Sequence, residues 1–362
     1  MRIDRIECIA LSLPLKRFFE TSFGRFFKRE IVLVKVFTNE GTGIGECPVF
    51  GPFYSYETLE TALHIIHDYI APAVIQQEIS GIEDYIDKVS FIRGHNMAKS
   101  GVEFALWDIF AQKAGLALHK LLGGVKDKIP CGISIGVQNS IEELLEEIKK
   151  DLELGYQRVK LKIQPGWDIK VVEQVRGSYE DIPLMVDANS AYTLADIEVF
   201  KALDKFGLMM IEQPLGHEDL YFHSQLQRQL KTPICLDESI HSPEIAEAAI
   251  KMESCRIINI KPPRIGGLFN TVKIHDLCLH HGIDIWCGGM LETGLGRVFN
   301  LAAASLEAFN LPNDIMPSGA YFAGDIIRPG IAMDKDGYIR LPNKPGLGYE
   351  LDFEMVRKYT TE

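Results

Sequence analysis

Six short apolar runs decide the fold: RVKLKI (158–163), PLMVDA (183–188), LMMIEQ (208–213), PICLDE (233–238), RIINIK (256–261) and DIWCGG (284–289). Each is the length of a buried strand, and the stretches between them carry apolar residues at helical spacing. The residues that end the runs are Lys162, Asp187, Glu212, Asp237, Lys261 and Trp286, at intervals of 25, 25, 25, 24 and 25. That interval holds one strand, one helix and two loops, and its constancy favours a closed barrel over an open sheet. A seventh run, CGISIGV (131–137), precedes the six. Alternating β and α units imply a parallel sheet. The pattern predicts an α/β protein with a (β/α)7β TIM-like barrel, the eighth strand being a weak one near Asp314 to Met316 after a helix at 295–308.

Outward from the barrel the pattern changes. Residues 2–12 and 31–38 (IVLVKVFT) read as strands joined to a third through a turn at EGTG (40–43), and 56–78 and 97–114 read as helices. Ser100 is a candidate helix start there and Gly115 a candidate stop. Residues 1–125 are therefore expected to form an α+β capping domain, 126–316 the barrel, and 317–362 an irregular segment packing back on the cap. Aromatic residues gather in two cap segments, 16–27 (Phe19, Phe23) and 49–56 (Phe50, Phe53, Tyr54), which read as lid loops over the barrel mouth. Tyr321 and Phe322 could join them.

The 362 residues exceed the ~250 of a bare barrel. With 38 Lys+Arg against 50 Asp+Glu, the net charge of −12 argues against nucleic acid or an anionic membrane as partner. Asp4 and Glu7 interrupt the apolar start, so neither a signal peptide nor a membrane span is expected, and a cytoplasmic location follows. Seven scattered cysteines without a CxxC pair read as reduced core residues, and no HExxH accompanies the ten histidines. GTGIG (41–45) lacks the GxGxxG spacing and a following helix, which excludes a dinucleotide loop. The partner expected is a small carboxylate, and the assembly expected is a homo-oligomer.

Chemistry sits where barrel enzymes keep it, at the carboxyl ends of the strands. Asp187, Glu212 and Asp237 end three consecutive strands. Each alone suits a helix N-cap, but three in register at one mouth repel unless a hard cation takes them, and oxygen ligands suit Mg²⁺, with Mn²⁺ as substitute. Lys160 and Lys162, one residue apart, face the same side of their strand. Lys261 ends a strand four units on, roughly across the mouth. A cation-rich, partly desolvated mouth containing Mg²⁺ and neighbouring lysines would lower a lysine pKa towards neutrality, and two bases on opposite faces of one carbon could remove a proton and return it.

Together, KxK (160–162), DxN (187–189), EQP (212–214), DES (237–239), NIKP (259–262) and CGGMLETG (287–294) resemble the enolase superfamily, muconate-lactonizing subgroup. FETSFGR (19–25), GECP (45–48) and ALWDIFAQKAGLALHKLLGG (105–124) are similar to its cap loops and barrel-entry helix, so the likeness spans nearly the whole chain. It implies a metal-dependent lyase or isomerase forming an enediolate. The CGGMLETG ending is similar to o-succinylbenzoate synthases and N-succinylamino acid racemases, and unlike dipeptide epimerases, which carry an acidic pair there. On that likeness Lys162 abstracts the α-proton, Lys160 steadies the substrate carboxylate, Lys261 serves the opposite face, and Asp187, Glu212 and Asp237 hold Mg²⁺, with Glu238 supporting them from behind. Arg264, Asn189, Ser134, Phe23, Tyr54, Gly289 and Met290 are the expected substrate contacts. Pro263 stands where glycine is more usual.

Overall fold

The computed structural model describes residues 1–21, 24–49 and 54–361. Phe23, Phe50 and Phe53 lie outside them. The chain opens with an antiparallel sheet of β1 (Ile3–Thr21), β2 (Gly24–Thr38) and β3 (Gly41–Cys47). The unbroken apolar run in β2 has a physical reason, because the strand lies between two cores. Ile31 and Leu33 point into the barrel-side core, whereas Val32, Val34 and Val36 point into a core of the cap's own. Of the 16–27 segment, expected as a loop, residues 16–21 and 24–27 instead lie in β1 and β2, with Phe19 opposite Phe26 and Glu20 opposite Arg25.

Helices cover the other face: α1 (Leu59–Ile65), a π-helical turn (Ile66–Ile70), α2 (Ala71–Val74), α3 (Ile82–Val89), α4 (Asn96–Ala114) and the short α5 (Leu118–Leu121). The helix expected within 56–78 thus runs without a break over 59–74, with a π-helical turn in its middle. α4 starts four residues before Ser100, which is buried within it. The reason is a distant cap: the Glu57 carboxylate accepts from Met97 N at 2.9 Å and Ala98 N at 3.0 Å. At the other end Gly115 takes the left-handed conformation that stops the helix, φ 66°.

After β4 (Lys128–Pro130), the barrel alternates β5 (Ile133–Ile135), α6 (Ile141–Glu153), β6 (Val159–Lys162), α7 (Ile169–Ser178), β7 (Leu184–Asp187), α8 (Ile197–Leu203), β8 (Ile211–Glu212), α9 (Tyr221–Gln227), β9 (Ile234–Leu236), α10 (Pro243–Lys251), β10 (Ile257–Ile260), α11 (Leu268–His281), β11 (Asp284–Cys287) and α12 (Gly294–Ala304). β5 to β11 form one seven-stranded sheet in chain order, with parallel neighbours throughout. No regular strand forms at Asp314–Met316, but the chain at 313–314 bonds to both sides there: Asn313 N to Pro130 O at 3.0 Å, Gly132 N to Asn313 O at 2.8 Å and Asp314 N to Cys287 O at 2.9 Å. Isolated bridges Cys131–Asn313 and Ile285–Phe309 stand in its place between β5 and β11.

The last segment returns along the cap. β12 (Ile327–Arg328) pairs with β14 (Glu350–Leu351), β13 (Tyr338–Arg340) pairs with β4, and α13 (Phe353–Tyr359) follows. Phe322 bridges Leu15 and Thr360 bridges Leu11, both on β1. No helix among the described residues is long and apolar enough to cross a membrane.

Candidate active site

Three successive parallel strands bring Asp187, Glu212 and Asp237 side by side, Asp187 being directly in register with both Lys162 and Glu212. Asp237 follows β9 immediately. All three are buried, at 1%, 0% and 0% exposure. A buried carboxylate needs a countercharge or donors, and the neighbouring strands supply them. Lys162 Nζ donates to Asp187 Oδ2 at 2.5 Å and to Asn189 Oδ1 at 2.6 Å. Lys160 Nζ lies 3.0 Å from Glu212 Oε2 and 2.7 Å from Asp314 Oδ2. Lys261 Nζ donates to Asp237 Oδ2 at 2.8 Å and to the Tyr54 hydroxyl at 2.9 Å.

Arg264 is buried, its guanidinium shared among Asp237, the Tyr54 hydroxyl at 3.0 Å, Ile240 O at 2.8 Å and Asn259 O at 2.7 Å. It lies behind Asp237, where it holds the loops after β9 and β10 together. Pro263 fits this loop: the turn from Lys261 closes with Gly266 N to Pro263 O at 3.2 Å and Gly267 N to Pro262 O at 2.8 Å, so Pro263 serves as an acceptor. Glu238 accepts from Asn189 Nδ2 at 2.7 Å, and its other oxygen, Oε2, is buried without a partner. Gln213 steadies the same rim, accepting from Asp237 N at 2.9 Å and donating to Ser239 Oγ at 2.8 Å. Asn189 and Gln213 carry positive φ, 42° and 37°, a strain that side-chain bonds of this kind hold in place.

The carboxylates set the charge on the lysines they hold. Burial opposes the charge on Lys261, but Asp237 and Tyr54 outweigh it and hold the ammonium above its ordinary range. Burial likewise opposes the charge on Lys160, which Asp314, Glu212 and Asp187 together raise. One ammonium there serves three carboxylates. Glu212 is left short of positive charge, so burial and the neighbouring Asp187 raise its pKa. Burial and Asp237 raise Glu238 as well. The Tyr54 phenol is pushed up to about 12 by burial.

Among the described residues no three His, Cys, Asp or Glu side chains form a group arranged to hold a metal ion. The lysines and Arg264 turn the carboxylates towards themselves. The donors nonetheless fit a hard cation: they are oxygens only, two of the acids are short of countercharge, and Glu238 Oε2 is an unpartnered buried oxygen beside them.

A cavity opens over this array. Lys160, Lys162, Lys261, Asn189, Ser134, Tyr54, Gly289 and Met290 all line it. Lys162 on β6 and Lys261 after β10 sit four strands apart in the curled sheet and so come from different sides of the mouth. Sequence reasoning missed Asp314, Arg158, Thr21 and Arg297. Asp314 bonds Arg158 Nη2 at 2.7 Å as well as Lys160, and it lines the cavity with Thr21 and Arg297. Its signal was its place at the weak eighth strand, about one repeat beyond Cys287.

Residues 143–356 match the enolase C-terminal domain-like family and residues 5–123 the mandelate racemase / muconate lactonizing enzyme N-terminal domain. The chain is 47% identical over 362 residues to the o-succinylbenzoate synthase of Geobacillus kaustophilus, covering 99% of this chain and 96% of that protein. It is 42% identical over 363 residues to the N-succinylamino acid racemase of an Amycolatopsis species, covering 100% and 98%. A solved enolase-superfamily member from Listeria innocua Clip11262 superposes with a TM-score of 0.96 at 41% identity, over 100% of this chain and 98% of that one. With family models matching both parts and relatives aligned end to end, this chain belongs to the enolase superfamily, in its mandelate racemase / muconate lactonizing enzyme branch.

Proposed function

We propose that this protein removes the α-proton of a small carboxylate to form an enediolate. Its leading activity on this reading is that of an o-succinylbenzoate synthase, the syn dehydration of a succinylated cyclohexadiene carboxylate on the route to menaquinone. The observation that carries it is the pair Lys162 and Lys261 facing one cavity, with Asp187, Glu212 and Asp237 on the strand ends between them. The relatives at 47% and 45% identity named o-succinylbenzoate synthase support the choice of substrate.

Enzymes of this branch are generally divalent-metal dependent. We assign the metal as Mg²⁺, replaceable by Mn²⁺, with Asp187, Glu212 and Asp237 as its ligands. Bound there, the ion would stabilise the negative charge that develops on the substrate carboxylate. Lys160 steadies that carboxylate and Lys162 takes the α-proton. Lys162 or Lys261 acts as a base only once its own carboxylate partner is satisfied by other positive charge, because an ammonium has no lone pair to offer. In dehydration one base suffices, and Lys261 stays protonated to stabilise the enediolate from the other face.

Racemisation of N-succinylamino acids in the same site is the second reading. Lys261 reaches the cavity, as a second base must, and the Amycolatopsis relative is named for that reaction. The test incubates the protein with Mg²⁺ and the cyclohexadiene precursor, and separately with an N-succinylamino acid in D₂O. Dehydration identifies the first activity, and α-deuterium incorporation with loss of optical purity the second. Neither product forming would overturn the proposal.

A further inference from the structure

Lys162 and Lys261 are held in unlike ways. Lys162 belongs to β6, locked between β5 and β7 in the sheet. Lys261 lies just past β10, at the start of a turn that runs to Gly267, and its position depends on what pins that turn. Arg264 pins it from within the barrel, and further pins come from the cap. Asn96, the first residue of α4, donates through Nδ2 to Arg264 O at 2.9 Å and to His241 O at 2.9 Å, tying the loops after β10 and β9 to one amide. Seven residues on, and so on the same helix face, Glu103 accepts from Leu268 N at 2.8 Å and Phe269 N at 2.8 Å, the free donors at the start of α11. Gly267 is glycine for this reason: at φ 119°, a Cβ would stand 1.7 Å from Glu103 Oε2.

The same helix end also holds Tyr56 and Glu57. His95 N donates to the Tyr56 hydroxyl at 2.9 Å and Glu57 caps Met97 and Ala98, while Tyr54, two residues before Tyr56, reaches Lys261. Gly94 and His95 take left-handed conformations, φ 65° and 50°, to turn the chain into α4 at this point.

We propose that the amino-terminal turn of α4 positions Lys261 for proton transfer, with Asn96 as the positioning residue. It touches no reacting atom; it fixes the turn on which Lys261 stands and leaves Lys162 alone. This rests on the two-base reading of the site given above. The consequence is an asymmetry between the two faces of the substrate carbon.

The test measures α-proton exchange in D₂O, with Mg²⁺, from each enantiomer of an N-succinylamino acid. Lys261→Ala identifies which enantiomer presents its proton to Lys261, by losing exchange of that one alone. Asn96→Ala, and Asn96→Asp, which keeps the size but cannot donate, should slow exchange of that enantiomer on the order of ten- to a hundredfold and leave the other within about twofold. Asn96→Gln, which retains the donor, should recover part of the loss. Equal slowing of both enantiomers, or of neither, would overturn the proposal. Should the wild-type protein exchange neither enantiomer, the racemase reading fails, and amide hydrogen exchange decides the positioning claim by itself. Faster exchange at 264–269 in Asn96→Ala than in wild type then upholds the pinned turn, and unchanged exchange overturns it.

Discussion

At the scale of single residues the site is a set of charges that cannot be altered one at a time without exposing another. Lys162→Ala and Lys261→Ala should each abolish racemisation, read by polarimetry; retention of it by either variant would refute a two-base reaction. Asp237 holds both Lys261 and Arg264, so its loss bears on more than metal. Asp237→Asn should weaken Mg²⁺ binding in calorimetric titration by at least the ~10–100-fold that loss of an outer-shell partner costs. An unchanged titration would remove Asp237 from the ligand set. The lysine residue types, their spacing and the three acids were all legible in the sequence. The ion pairs that hold Lys160 and Lys261 were not, because the balance between burial and countercharge depends on distances that only folding sets.

At the scale of elements, the cap grips the barrel through buried glutamates at helix starts. Glu103 serves α11, and Glu46 on β3 serves α12, accepting from Thr293 N at 3.1 Å and Gly296 N at 3.1 Å. Burial lifts Glu103 from 4.5 to about 7 despite those donors. The folded state thus binds this proton more tightly than the unfolded one. The resulting stabilisation is complete below about pH 4.5 and is lost as pH rises through 7. Glu103→Gln cannot titrate, so the stability of wild type relative to it should fall between pH 4.5 and 7.5, by up to about 3 kcal/mol. Urea midpoints of the two proteins at several pH values check this, and parallel pH dependences would contradict it. A capping role for Glu103 was invisible in the sequence, where it sits within an apolar helical pattern. Its partners are 165 and 166 residues away.

At the scale of the whole molecule, a net charge of −12 surrounds a mouth where Lys160, Lys162 and Lys261, with Arg264 behind them, are paired with four carboxylates. The overall charge disfavours polyanions. Removing divalent ions with a chelator should abolish turnover, and Mg²⁺ or Mn²⁺ should restore it. Full activity in excess chelator would refute metal dependence. The cap closes this mouth through the β1–β2 hairpin, whose Phe19 and Thr21 line the cavity, and through Tyr54.

The sequence by itself determined the barrel, the order of its strands and the chemistry at their ends, because a constant repeat and a two-residue alternation are local properties of a chain. It also announced a cap with aromatic residues at the mouth. The tertiary structure decided that residues 16–21 and 24–27 pair as strand ends, that the eighth strand is reduced to a few bonds at 313–314, and that Arg264 lies behind Asp237. It decided as well that a helix of the cap, through Asn96 and Glu103, holds the turn bearing Lys261. These are contacts between groups far apart in the chain, and their geometry follows from packing the domains together, which no periodicity records.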